Sequence, residues 1–190
     1  MTMIRYMLPA TLILCCAATW AGEPAGPNDE EGFQPLFDGK SFAGWRVTPQ
    51  TPESWKIEEG LLMLTGGRSH LFAEEEFTDF IVRFEWRPAQ KGYNSGFFVR
   101  GRQIQMAQSS AGMLFGSEAA PKVPHLHKPP GEWNTWEVTC IGPKVSLRVN
   151  GQLAWQIEDF KPTGGRLGFE AEGHAIDFRN IRIKQVKRTE

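Results

Sequence analysis

Near the end of the chain the segment AEGHA sets Glu172 and His174 two residues apart in a turn. A carboxylate and an imidazole held close together can pass a proton between them, so this turn is the first candidate for acid/base work; a solvated polar loop is the plain alternative. A second stretch, GYNSGFFVRG, reads as a short strand with Phe97 and Val99 on one face and Gly96, Phe98 and Arg100 on the other. It opens with the Asn94 amide and closes with the Arg100 guanidinium. Turn chemistry accounts for Asn94 as well as a ligand does, and a cross-sheet ion pair with Glu85 is the alternative for Arg100. Glu85 and Arg87 share one face two residues apart and can act on a ligand together or pair with neighbours. His125 and His127 flank Leu126 in a proline-stiffened loop; without a third ligand at helpful spacing they are expected to line a ligand or lie exposed, with no metal bound.

Other chemistries leave no trace. The sequence holds no Gly-x-Ser-x-Gly elbow, phosphate-binding loop, His-Glu-x-x-His helix, dinucleotide fingerprint or Cys-x-x-Cys pair, and no cofactor is expected. Cys140 ends the alternating run Trp136, Val138, Cys140 and is expected to be a small buried hydrophobe.

The frame that carries these residues is bounded by composition. The chain has 190 residues, 41% hydrophobic and 23% charged, which suffices for one core. Its 20 glycines and 13 prolines, with few runs of helix formers, favour short strands and turns. With 21 Lys and Arg against 22 Asp and Glu, the net charge of −1 suggests no nucleic-acid partner.

Residues 1–21 read as a cleaved secretory signal: Arg5, an apolar run from Met7 to Ala18, then small residues around Ala17, Ala18 and Ala21. The run falls short of the roughly 20 residues a spanning helix needs, so no membrane segment is expected in the mature form. Lipoprotein processing at Cys15 or Cys16 is a poorer match, because Leu14 is bulky. Residues 22–31 look like a disordered spacer, and the folded domain is expected over 32–186 in a secreted or periplasmic protein.

Within the domain the period is two almost throughout. Phe80, Val82, Phe84 and Trp86 alternate with Arg83, Glu85 and Arg87; Trp136, Val138 and Cys140 alternate with Glu137 and Thr139; Val145, Leu147 and Val149 follow after a turn at Ile141-Gly142-Pro143. Asn150-Gly151 is a strong hairpin signal. Leu167, Phe169 and Ala171 face opposite to Gly168, Glu170 and Glu172. In IDFRNIRIK the apolar parity changes after Phe178, which predicts a bulge at Arg179-Asn180. These strands predict an all-β, antiparallel, two-sheet sandwich of jelly-roll type with at most one helix. Arg83, Glu85, Arg87, Arg100, Gln103 and Gln105 are expected on one polar face.

The ordered blocks GFQPLFDGKSFAGW, SWKIEEGLL, DFIVRFEWRPAQKGYNSGFFVRG, KPPGEWNTWEV, NGQLAW and GFEAEGHAIDFRNIRIK resemble the 3-keto-disaccharide hydrolase domain family, from Gly32 to Lys184. The resemblance implies a concanavalin A-like sandwich whose concave sheet holds sugar, and hydrolysis of glycosides oxidised to a ketone at C3. It matches Asn94 and Arg100 to the family's Asn-Ser-Gly and terminal Arg, facing a sugar's hydroxyls and ketone. Lys128 and Trp133 fall in its Lys-Pro…Gly-Glu-Trp-Asn block, with Trp133 placed to stack on a sugar ring. The chain departs from the family where RQIQM puts Gln103 in place of a common acid, while Gln105 matches; the loop from Ala107 to Val123 is also shorter. On this reading Glu172, His174 and Arg100 are catalytic, and Asn94, Gln103, Gln105, Lys128, Trp133, Glu85 and Arg87 bind a carbohydrate. A non-catalytic carbohydrate-binding sandwich is the alternative.

Overall fold

Alternation in the sequence becomes strand pairing almost everywhere in the computed structural model, which describes residues 31–187 apart from Pro162. The expected signal and nearly all of the spacer lie outside the described residues. The chain runs through β1 (Gln34–Pro35), a four-residue helix α1 (Thr51–Ser54), β2 (Trp55–Glu58), β3 (Leu61–Leu64), β4 (Leu71–Phe77), β5 (Phe80–Pro88), β6 (Gly96–Val99), β7 (Arg102–Gln105), β8 (Asn134–Ile141), β9 (Lys144–Val149), β10 (Gln152–Ile157), β11 (Gly165–Phe169) and β12 (Ile176–Gln185). Two antiparallel sheets result. The larger has the order β10-β9-β8-β5-β12-β3-β2, with β1 also on β12; the smaller has the order β4-β11-β6-β7.

Turn residues fix the register. Asn150 and Gly151 take φ of 50° and 81° between β9 and β10, the left-handed pair that a two-residue hairpin demands. On β12 the pairing with β5 slips between Arg179 and Arg182, with Asn180 at φ 52°, so the parity change in the sequence is a bulge. The bulge splits one edge of β12: Ile176, Asp177 and Phe178 pair with β3, and Arg182 and Ile183 pair with β1.

Between the sheets lies an aromatic core centred on Phe169. Its ring lies 4.4 Å from Phe178, 5.2 Å from Phe97 and 5.3 Å from Phe84, centroid to centroid, so one β11 side chain joins both sheets. Each sheet therefore keeps one face for solvent. On the larger sheet the charges on that face neutralise one another: Arg83 pairs with Glu137 at 2.6 Å, Arg87 with Asp177 at 2.7 Å, and Arg179 with Glu85 at 2.7 Å.

Candidate active site

The outer face of the smaller sheet is built in rows. Register sets Phe72 beside Gly168, Gly168 beside Phe98, and Phe98 beside Gln103. In the next row Gly96 stands beside Gln105, and the Glu170 backbone N–H donates to the Gly96 carbonyl at 2.8 Å. Two missing side chains shape the surface. A Cβ on Gly96 would sit 2.1 Å from Gln103 Nε2, and one on Gly168 would sit 2.4 Å from Phe72 Cδ1. Gln103 can thus lie flat over β6 and reach a residue two strands away.

That residue is Glu170, buried to 9% exposure just past the end of β11. Gln103 Nε2 donates to Glu170 Oε2 at 2.5 Å and to Gln105 Oε1 at 3.2 Å, and Gln105 Nε2 donates to Asn94 Oδ1 at 2.7 Å. A carboxylate can only accept, so Gln103 must turn its NH2 group toward Glu170, and each later amide follows in the same sense. The ladder ends with the Asn94 NH2, which makes no hydrogen bond among the described residues. Beyond Asn94 and Gln105 the surface dips into a depression edged by Gln108, Ser109 and Ser110.

The Asn94-Ser95-Gly96 triplet now has a physical reading. Asn94 faces outward at the ladder's end; Ser95 is fully buried and its Oγ donates to the Glu170 carbonyl at 2.8 Å; Gly96 leaves the room that Gln103 occupies. Burial holds the Glu170 carboxyl above the ordinary carboxylate range, the negative charge of Glu172 adds to this, and the Gln103 amide pulls the other way.

Glu172 sits at the rim, 3.7 Å from the Arg68 guanidinium. His174, two residues on, is half-buried, and its buried Nδ1 has no partner among the described residues. His70 approaches from the residue just before β4: the Ala171 backbone N–H donates to its Nδ1 at 3.1 Å, so the neutral imidazole carries its proton on Nε2. Nε2 makes no protein hydrogen bond among the described residues, and the ring rests 5.6 Å from that of Phe98. Asn94, Gln103, Gln105 and Glu172 thus share one surface with Glu170 and His70. Sequence reasoning gave Glu170 the outward parity without singling it out, and it passed over His70. The available signal was Gly168-x-Glu170 with Gly96: small residues on the outer face beside an acid of the same parity.

Several expected site residues lie elsewhere. Arg100 is not on the outer face: its side chain is fully buried, donating to the carbonyls of Thr78 and Gly142 and pairing with Asp79 at 3.0 Å. The reason is local, because Arg100 and Gly101 form the β6–β7 turn with φ of 46° and 72°, and strand alternation no longer governs a turn residue. Glu85 and Arg87 project from the opposite sheet, engaged with Arg179 and Asp177. Trp133 lies on that same side, its ring 4.0 Å from the Arg179 guanidinium carbon and 4.6 Å from that of Arg87. Lys128 is exposed in the loop before β8, and its backbone N–H donates to Asn134 at 2.8 Å.

His127 does not line a ligand surface either. Its Nε2 accepts from Trp136 Nε1 at 2.9 Å, its Nδ1 faces the Val123 carbonyl at 3.0 Å, and burial pulls its pKa down to about 4. Cys140 is buried as expected, its thiol pushed up to about 12 by burial. Among the described residues no three His, Cys, Asp or Glu side chains are grouped to hold a metal ion, and no helix is long and apolar enough to cross a membrane.

Two antiparallel sheets packed face to face around one aromatic core define an antiparallel β-sandwich with an open polar face on the smaller sheet. The chain belongs to the 3-keto-alpha-glucoside-1,2-lyase-like domain family, whose model matches residues 32–184. A 3-keto-disaccharide hydrolase of Bacteroides thetaiotaomicron is 33% identical over 90 residues, covering 41% of this chain and 30% of that protein. The match thus spans less than a third of the relative. A crystal structure from Parabacteroides distasonis, provisionally described as a glycosyl hydrolase, superposes with a TM-score of 0.66 at 20% identity, covering 84% of this chain and 96% of the other. A carbohydrate binding module of Bacillus subtilis gives a TM-score of 0.55 at 14% identity, covering 75% and 96%. These structures share the fold.

Proposed function

We propose that the protein cleaves glycosides whose C3 hydroxyl has been oxidised to a ketone, with Glu170 as the base. A C3 ketone acidifies the neighbouring C2 proton. The Glu170 carboxylate takes that proton, and the C2–H electron pair moves into a C2–C3 double bond as negative charge collects on the ketone oxygen. When that charge returns, the ketone re-forms, a C1–C2 double bond appears and the C1–O bond to the aglycone breaks. The leaving oxygen takes a proton, and water then adds across the new double bond: its oxygen to C1 and a proton to C2.

The single observation that carries this reading is the Glu170 carboxyl, held above the usual carboxylate range on an otherwise open face. A carboxylate of raised pKa is a stronger base near neutrality. The Nε2–H of His70, held beside Glu170 by the Ala171 N–H, supplies a donor for the charged ketone oxygen, and the Asn94 NH2 at the far end of the ladder supplies one for a sugar hydroxyl. Glu172, at the rim, and His174, two residues on, are the groups assigned to protonate the leaving oxygen. Family membership and the name of the Bacteroides relative support the substrate class. The leader in the sequence supports a secreted or periplasmic location.

Glu170→Gln should lower kcat on a 3-keto-disaccharide by about 10²- to 10⁴-fold with the fold intact. Turnover within a few-fold of wild type would overturn the assignment. One observation favours a second reading, a non-catalytic carbohydrate-binding sandwich: the Glu170 carboxylate is only 9% exposed and is covered by Gln103, an amide that cannot pass a proton on. Binding of the 3-keto-disaccharide with no turnover by the wild type would decide for it.

A further inference from the structure

Past β7 the chain turns back and adds one more rung to the smaller sheet. Gln105 N–H donates to the Met113 carbonyl and Phe115 N–H to the Gln103 carbonyl, at 2.8 and 3.0 Å, around a bridge between Ile104 and Leu114. Leu114 fills the core at 1% exposure, so Met113 and Phe115 take the opposite parity, outward, in line with Gln105 and Gln103. Phe115 is 46% exposed, a large apolar ring left facing solvent at the margin of the polar ladder. It stands one strand spacing beyond Gln103, about 4.8 Å, roughly the width of one sugar ring. Its outer flank opens into a depression edged by Arg102, Ser117, Asp159 and Lys161, all able to meet hydroxyl groups.

We propose that Phe115 is the stacking floor for the aglycone ring, so that the protein selects glycosides whose leaving group is itself a sugar over those with a small alkyl leaving group. This rests on the reading of Glu170 as the reacting centre. The carboxylate and Gln103 fix where the oxidised ring lies, since the Glu170–Gln103 contact is 2.5 Å and Gln103 and Phe115 are register neighbours. The next ring along the row then falls on Phe115. Apolar faces of pyranose rings lie flat on aromatic rings, while their hydroxyls reach sideways to charged groups such as Arg102 and Lys161.

The test compares kcat/KM for a 3-keto-disaccharide and for methyl 3-keto-glucoside. In Phe115→Ala the ratio of the two should fall at least about tenfold, which corresponds to roughly 1.4 kcal/mol, and Phe115→Trp should restore it. An unchanged ratio in Phe115→Ala with an unchanged melting temperature overturns the subsite. If wild type turns over neither compound, the proposed reaction falls and the subsite is read by calorimetric binding of the same disaccharide. Weaker binding to Phe115→Ala than to wild type supports the platform, and equal binding overturns it.

Discussion

Glu170 and Arg100 show how little a residue's type says about its role until its surroundings are known. Glu170 is a carboxylate made more basic by burial and by Glu172, and restrained by the Gln103 amide. The sign of a Gln103 substitution follows. Its N–H stabilises the ionised form, so Gln103→Leu should raise the Glu170 pKa further and move the acid limb of the kcat/KM profile to higher pH. A limb that stays in place or moves down would contradict the ladder. Arg100 is the reverse case, a strongly charged side chain without access to a ligand, bound to Asp79 and to two turns. Removing one member of a buried ion pair leaves the other uncompensated, so Arg100→Ala should cost about 3 to 5 kcal/mol of stability by denaturant unfolding. The outward parity of Glu170 was legible in the sequence, but its covering by Gln103, from two strands away, was not. Spacing reports which face a residue takes within its own strand and nothing about which neighbour lies across it.

At the scale of elements, alternation and turn chemistry carried most of the information. The hairpin at Asn150-Gly151 was legible from its turn residues, and the bulge at Arg179-Asn180 from the change of side-chain parity along the strand. The β6–β7 hairpin was not, since reading VRG as the end of one strand hides a two-residue turn. The way Gln103 lies across that hairpin depends on Gly96, where any Cβ collides with the Gln103 side chain. Gly96→Ala should therefore dislodge Gln103 and reduce turnover more than it reduces the melting temperature; loss of stability alone would assign Gly96 to folding only. The loop before β8 carries a separate pH dependence through His127. Its pKa is about 4 when folded, against an ordinary value of 6.5, so the unfolded chain binds the extra proton between these limits. Stability should fall as pH drops from about 6.5 toward 4, by up to roughly 3 kcal/mol at 1.36 kcal/mol per unit. His127→Phe should flatten that dependence in urea titrations at pH 7 and pH 5.

Across the whole molecule, the two sheets use their solvent faces differently. The larger sheet pairs Arg83, Arg87 and Arg179 with acids of its own face and holds Trp133 against Arg87 and Arg179, while the smaller sheet keeps the Asn94 NH2 and the His70 Nε2 open among the described residues. Sequence reasoning recognised a sandwich with a polar face but merged the two outer faces into one, because parity within a strand does not say to which sheet the strand belongs. Phe169 ties the faces together from inside, and Phe169→Ala should cost about 3 to 5 kcal/mol and loosen Glu170, its neighbour in sequence.

The account stands or falls on proton removal at C2 by Glu170. The direct measurement is turnover of a 3-keto-disaccharide in D2O, followed by NMR at C2 and compared with an enzyme-free control. Elimination and hydration predict that the 3-keto-hexose product carries deuterium at C2 with wild type, with loss of both exchange and cleavage in Glu170→Gln. A product that keeps its C2 proton, or unchanged exchange in Glu170→Gln, would contradict it.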